Sequence, residues 1–166
     1  MIKGVNKNIF DKYNLMYINN VLYGIENFSH ICFTGEYEGY KNFIQFLIKN
    51  NEQSFFDFYF ANLKEDEKSY FLNNEKYKNI LKNFDFKKDD IYFDTNYLNK
   101  EIFDFITKIS FDQILFSTFY FKNPSLILWT NYNNQFILFL KCNDTQKYIN
   151  IAKDFGLNIV FEKVII

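Results

Sequence analysis

The sequence contains no arginine and a single histidine, His30, among its 166 residues. All 19 basic side chains are lysines, so no planar guanidinium can bind a phosphate or a carboxylate through two parallel hydrogen bonds. This absence excludes arginine fingers and bidentate contacts from Arg to guanine. A metal centre built from several histidines is excluded in the same way.

A surplus of positive charge is also absent, because the 19 Lys are balanced by 20 acidic residues and the formal net charge is -1. Proteins that bind nucleic acids usually carry a basic surplus, since neutralising the phosphates releases counterions. Aromatic residues in the last third of the chain could still stack on unpaired bases, namely Phe119, Phe121, Trp129 and Tyr132. Without a basic surplus beside them, we expect these rings to pack under helices.

Cysteine and long apolar runs are scarce as well. Cys32 and Cys142 are too few to form a disulfide framework in a chain of this length. The N-terminal residues lack the apolar stretch of about 7–15 residues that is typical of a secretory signal. The longest apolar runs, such as residues 136–140, fall far short of the roughly 20 residues needed to span a bilayer. We therefore expect a reduced, cytoplasmic protein with no membrane contact.

The residues that are abundant instead include 23 Phe and 13 Tyr, together with many Asn, Ile and Lys. All five types are encoded by A/T-rich codons, so we attribute the aromatic excess to base composition and not to a ligand pocket. Because 48% of the residues are hydrophobic, the chain has ample material for a core. Its length fits one domain, which we expect to span residues 1–166.

Hydrophobic spacing predicts the secondary structure. Tyr40, Phe43, Ile44, Leu47 and Ile48 recur at the spacing of an amphipathic helix. With only five Gly and one Pro, clusters of Asn and Asp have to make most of the turns. We expect about four helices, over residues 40–48, 65–84, 98–109 and 144–154.

Strand-like runs occupy much of the remaining chain. Residues 15–25 read as a strand pair around Asn19 and Asn20, and shorter strands are expected at 29–34, 55–61, 91–93 and 157–166. Residues 113–121, 125–130 and 135–141 are separated by short turns, which favours an antiparallel three-strand meander. The predicted fold class is α+β, a single domain whose sheet is mixed or mostly antiparallel.

Catalytic residues are hard to find in this sequence. His30 and Cys32 are two residues apart in a predicted strand, so they share a face, yet about 6–7 Å separates such positions. No third residue is indicated to orient the pair, and we expect both to be structural. Asp89 and Asp90 lack the periodic oxygen ligands of a calcium loop. We expect no metal and no cofactor.

The segment before the first long helix is the candidate contact surface. Gly35 and Gly39 give it some likeness to a phosphate-binding loop, but Glu36 and Glu38 stand where the phosphate would sit. These acids suit the N-terminus of a helix, where negative charge is stabilising. Exposed acidic and aromatic residues can also anchor a partner protein. We therefore predict that Glu36, Tyr37, Glu38 and Tyr40 bind a partner.

The exclusions favour a protein that acts through its surface. We expect a non-catalytic inhibitor that binds another protein, such as a bacterial toxin or a defence nuclease. An immunity protein and a phage anti-defence protein both belong to this class. The alternatives are a small hydrolase-like or nuclease-like enzyme with a site of scattered residues, drawn from Glu36, His30 and Asp57, or a nucleic-acid-binding domain. The oligomeric state is left open.

Overall fold

The computed structural model describes residues 1–131, 133–141 and 144–165, except for the side chain of Asn131. Tyr132, Cys142 and Ile166, which figured in the predictions above, lie outside the described residues. The α-helices are α1 (Lys7–Asp11), α2 (Val21–Asn27), α3 (Tyr37–Lys49), α4 (Glu65–Leu72), α5 (Glu75–Leu81), α6 (Lys100–Phe111) and α7 (Thr145–Asp154). The strands are β1 (Ile2–Lys3), β2 (Ser29–Thr34), β3 (Ser54–Asp57), β4 (Phe84–Asp85), β5 (Tyr92–Asp94), β6 (Thr118–Phe121), β7 (Leu126–Asn131), β8 (Gln135–Leu140) and β9 (Asn158–Lys163).

Seven of these strands form one sheet in the order β5-β3-β6-β7-β8-β2-β9. Every neighbouring pair in this sheet is antiparallel, and β6, β7 and β8 form the predicted meander. β1 and β4 make a separate two-stranded parallel pair. The predicted α+β class with a mostly antiparallel sheet is confirmed.

Both faces of the large sheet are covered by other parts of the chain. Side chains alternate between these two faces along each strand. Phe56, Phe119 and Leu138 pack on one face in the same hydrophobic cluster as residues from α3, α6 and α7. Their sequence neighbours Phe55 and Tyr120 pack on the other face, beneath the N-terminal segment. That segment contributes Phe10, Met16 and Ile18.

The strand pair predicted over residues 15–25 is wrong, since α2 begins inside it. Asn20 is the N-cap of this helix, and its side-chain oxygen accepts a hydrogen bond from the Tyr23 N–H. An Asn-Asn pair is compatible with a hairpin turn or with a helix cap, and capping prevails here. The segment therefore covers the sheet and does not join it.

The helices are also more numerous than predicted, with seven in the described part of the chain. The long helix expected over residues 65–84 is two helices, because Asn74 caps α5 by accepting hydrogen bonds from the Lys76 and Tyr77 N–H groups. None of the helices in the described ranges is long and apolar enough to cross a membrane.

The first strand of the meander is shorter than predicted. Gln113 has a φ of 60°, and the Ile114 N–H still donates to the Ile109 carbonyl at the end of α6. Residues 113–117 therefore lead out of the helix, and β6 begins only at Thr118.

Candidate functional site

The predicted contact segment lies at the start of α3. Glu36 is the N-cap residue and is exposed, and Glu38 is exposed in the first turn, where it forms an ion pair of 2.8 Å with Lys41. Tyr37 is half-buried, and its hydroxyl donates to the Asp104 carbonyl oxygen at 3.1 Å. The two acids fit the predicted helix entry, since they stand where negative charge stabilises the helix dipole.

Tyr40 differs from the other three residues, because its side chain is completely buried. Its hydroxyl lies 2.7 Å from Thr130 Oγ1 and 3.5 Å from Ser110 Oγ. Burial raises the pKa of Tyr40 to about 12. The surface contact predicted for Tyr40 does not fit this position, whereas Glu36, Glu38 and the exposed part of Tyr37 can reach a partner.

The same segment packs against the start of β9. A Cβ atom added to Gly35 would lie 2.7 Å from Leu157 Cδ2, and one added to Gly39 would lie 2.6 Å from the Phe155 carbonyl oxygen. Thr34, at the end of β2, pairs with Asn158 of β9. These close approaches bring the backbone of the segment next to the residues that precede β9.

One edge of the large sheet is β9, which pairs with β2 alone among the described strands. Two of its apolar side chains are well exposed, Val160 at 46% and Phe161 at 42%. A register shift between Cys32 and Phe33 leaves Val160 as the extra residue of a bulge. We call β9 together with Glu36 and Glu38 the β9 edge surface.

The opposite edge of the sheet has a further backbone pairing, which β9 lacks among the described residues. At that edge, the Val5 N–H donates to the Tyr92 carbonyl at 2.8 Å, and the Tyr92 N–H donates back to Val5 at 3.1 Å. Proteins commonly cover a sheet edge in this manner, because unpaired backbone groups invite another strand.

His30 and Cys32 lie in the interior. His30 Nδ1 is 2.9 Å from the Phe28 carbonyl oxygen, and its ring lies between Phe139 and Phe161. Cys32 is a buried free thiol, and burial raises its pKa to about 11. A thiol with such a pKa stays protonated at neutral pH and makes a poor nucleophile. Both side chains therefore pack in the interior of the protein.

Asp57 has a different environment. It is the last residue of β3 and is only 4% exposed. Its Oδ1 accepts a hydrogen bond of 2.7 Å from the Thr118 N–H, and its Oδ2 accepts one of 2.9 Å from the Tyr120 hydroxyl. Burial raises the pKa of this carboxyl to about 7, although both hydrogen bonds act to lower it.

Asp57 lines a cavity of about 370 Å³ between the sheet and the N-terminal segment. Four aromatic side chains also line this cavity, namely Tyr17, Tyr59, Tyr120 and Trp129. The rings of Tyr17 and Tyr120 stack with centroids 6.3 Å apart. Sequence reasoning named Asp57 as a candidate acid but missed the tyrosines, which come from separate parts of the chain.

Two larger grooves, of about 460 and 470 Å³, lie beside α6 on the helical face. The charged side chains in them are exposed or half-buried, and they include the ion pair between Lys100 and Asp104. Because water solvates these charged side chains, they do not need a ligand to neutralise them. The cavity at Asp57 is smaller but contains a buried ionisable group.

The remaining sequence candidates are mostly buried or paired. Phe119 and Phe121 are fully buried, so they cannot stack on bases, and Trp129 is half-buried. Asp90 forms an ion pair of 3.7 Å with Lys87. Within the described residues, no group of three or more His, Cys, Asp or Glu side chains could hold a metal ion.

Comparisons of this chain with protein-family models, with curated proteins and with solved structures give no match.

Proposed function

We propose that this protein is a non-catalytic inhibitor that binds another protein through the β9 edge surface. The observation that carries this proposal is the open edge of the sheet, whose exposed Val160 and Phe161 stand in contrast to the covered edge at β5. The partner would be a toxin, with this chain as its immunity protein, or a defence nuclease, with this chain as an anti-defence protein.

The physical basis is β-strand addition. An edge strand presents backbone N–H and C=O groups that a further strand can pair with, and flanking apolar side chains provide pockets or anchors. The ring of Phe161 packs edge-on against the ring of His30, with the two centroids 5.7 Å apart. Much of the Phe161 side chain nevertheless remains exposed to solvent. Covering that area with a partner strand would remove apolar surface from water, which favours binding.

The charges near β9 indicate the chemistry of the partner. Glu36 and Glu38 lie between two glycines that pack against the residues just before β9. Neither acid is buried. Acidic groups at the rim of an interface speed the association with a basic partner and disfavour acidic ones. Nucleases that bind nucleic acid carry basic surfaces of this kind, so an extended segment flanked by lysines or arginines is the expected ligand.

The test is binding to the product of the gene next to the one that encodes this chain. We expect a stoichiometric complex on co-purification that Phe161→Asp weakens and that the double change Glu36→Lys with Glu38→Lys weakens further. Tyr97→Asp is the matched control, because Tyr97 is an exposed aromatic residue beyond the covered edge. Equal loss of binding with Tyr97→Asp, or full binding by all the variants, would rule out the β9 edge surface.

An enzyme that uses Asp57 is the second candidate. It is favoured by the raised pKa of a buried carboxyl that lines a cavity, which suits a general acid or base near neutral pH. Turnover of a small molecule or a polynucleotide that Asp57→Asn abolishes would establish this function in place of inhibition. Phe161→Asp should leave such turnover unchanged.

A further inference from the structure

We propose that the cavity beside Asp57 binds a small organic cation, a quaternary or protonated amine, which the Asp57 carboxylate and the rings of Tyr17, Tyr59 and Trp129 would hold. This site is separate from the β9 edge surface, since it is formed by β3, β6 and β7 in the other half of the sheet. The proposal therefore does not depend on the proposed function.

Asp57 is more than nine-tenths buried, and its two known partners, the Thr118 N–H and the Tyr120 hydroxyl, are neutral. None of the ion pairs in residues 1–131, 133–141 and 144–165 involves Asp57. Buried carboxylates normally have a cationic partner. A ligand that enters the cavity with a positive charge would supply it.

Each aromatic ring has a negative face that attracts a cation, and several rings around one point form the type of cage that selects ammonium groups. Three tyrosines and one tryptophan line this cavity together with the carboxyl group. One of these rings already makes a cation–π contact, because the Lys7 ammonium lies 3.9 Å from the centroid of the Tyr17 ring.

The titratable groups close to Asp57 are Tyr59, Tyr92 and Tyr120. Tyr17 belongs to the same cavity lining, with the Lys7 ammonium over its ring. Burial raises the pKa of Tyr59, Tyr92 and Tyr120 above the ordinary value, so these tyrosines stay neutral at physiological pH. Asp57 is then the group near the cavity that titrates close to neutrality, and a bound cation would favour its ionised form.

The experiment is calorimetric titration of the purified chain with choline and with 3,3-dimethylbutanol, which has the same shape but no charge. We expect binding of choline alone, and a loss of about tenfold or more in affinity on Asp57→Asn, which keeps the shape of the side chain. Affinity should rise by about thirtyfold between pH 5.5 and pH 8, because the carboxyl ionises near pH 7. Tyr17→Leu should weaken binding, whereas Tyr70→Leu, on the other face, should not.

A lysine side chain of a partner protein offers the same chemistry as a free amine. A short peptide with one trimethyllysine is therefore titrated in parallel, and tighter binding than that of choline would identify a protein ligand while supporting the site. Equal binding of the uncharged alcohol, or choline binding that persists in Asp57→Asn with unchanged pH dependence, would overturn the proposal. Thermal melts of each variant show whether it is folded. If Asp57→Asn does not fold, Tyr17→Leu and the pH dependence of the natural chain still decide the result.

Discussion

The hydroxyl of Tyr120 lies 2.9 Å from Oδ2 of Asp57, although 63 residues separate the two in the chain. β3 and β6 are neighbours in the sheet, and their antiparallel pairing brings the end of one strand beside the start of the other. This hydrogen bond joins a buried acid to a buried phenol, and its consequences can be measured.

The first prediction concerns stability and pH. The pKa of Asp57 is about 7 in the folded protein and near 3.8 when the chain is unfolded. Between pH 3.8 and pH 7, the folded state therefore retains a proton that the unfolded state has released. The stabilising contribution of Asp57 to the free energy of unfolding is therefore present at low pH and is lost as the pH rises through 7. We expect Asp57→Asn to be more stable than the natural chain at pH 8, by an amount on the order of a few kcal/mol, and similar to it at pH 4.

Urea unfolding at both pH values measures this difference. Asp11→Asn is the control, because Asp11 is exposed on α1 and pairs only with Lys7 on the surface. If the difference in free energy of unfolding between Asp57→Asn and the natural chain stays constant from pH 4 to pH 8, Asp57 titrates normally.

The second prediction concerns Tyr40, which α3 directs into the core. Removing its hydroxyl in Tyr40→Phe leaves Thr130 Oγ1 and Ser110 Oγ with one partner fewer in a buried setting. We expect a loss of about 1–3 kcal/mol in the free energy of unfolding and no change in partner binding. Tyr70→Phe, at an exposed position of α4, should change neither quantity.

The third prediction concerns Gly39. Exchanging glycine for alanine usually stabilises the interior of a helix by about 1 kcal/mol, yet a Cβ here would lie 2.6 Å from the Phe155 carbonyl oxygen. We expect Gly39→Ala to lower the free energy of unfolding, because backbone must move to accommodate the methyl group. Asn42→Ala, at an exposed position of the same helix, should have no such cost. Stabilisation by both changes would mean that α3 does not press against the end of α7.

The fourth prediction concerns the thiol of Cys32. In a Cys142→Ser background, we expect its reaction with an aromatic disulfide reagent at pH 8 to be limited by opening of the protein, because the thiol is buried and its pKa is about 11. Urea should then accelerate the reaction in parallel with unfolding. A fast reaction in the absence of denaturant would place Cys32 at the surface.

Local patterns explain why much of the fold could be predicted from sequence. Residues 29–34 form the expected strand, and the apolar spacing from Tyr40 to Leu47 forms the buried side of α3. The same spacing already indicated that Tyr40 faces the core, so including it in a contact surface conflicted with the helix prediction. The pair Asn19-Asn20 led to a wrong prediction of a strand pair, because Asn can occupy a hairpin turn and can also cap a helix, as Asn20 does here.

The candidate sites could be predicted only in part, because they depend on long-range pairing. Asp57 was one of 20 acidic residues, and only the register of β3 with β6 brings Thr118 and Tyr120 to its carboxyl group. The open edge at β9 depends on the order of seven strands, which local spacing does not specify. Glu36 and Glu38 were predicted as exposed acids, but the packing of their segment against Leu157 and Phe155 depends on the fold.

The central claim is that a partner strand pairs with the free edge of β9. Hydrogen–deuterium exchange of the chain, alone and in complex with the product of the neighbouring gene, tests it most directly. We predict that backbone amides within residues 158–163 exchange much more slowly in the complex, while amides of β5 at the opposite edge keep their rates. A stable complex in which exchange in β9 is unchanged would contradict the account.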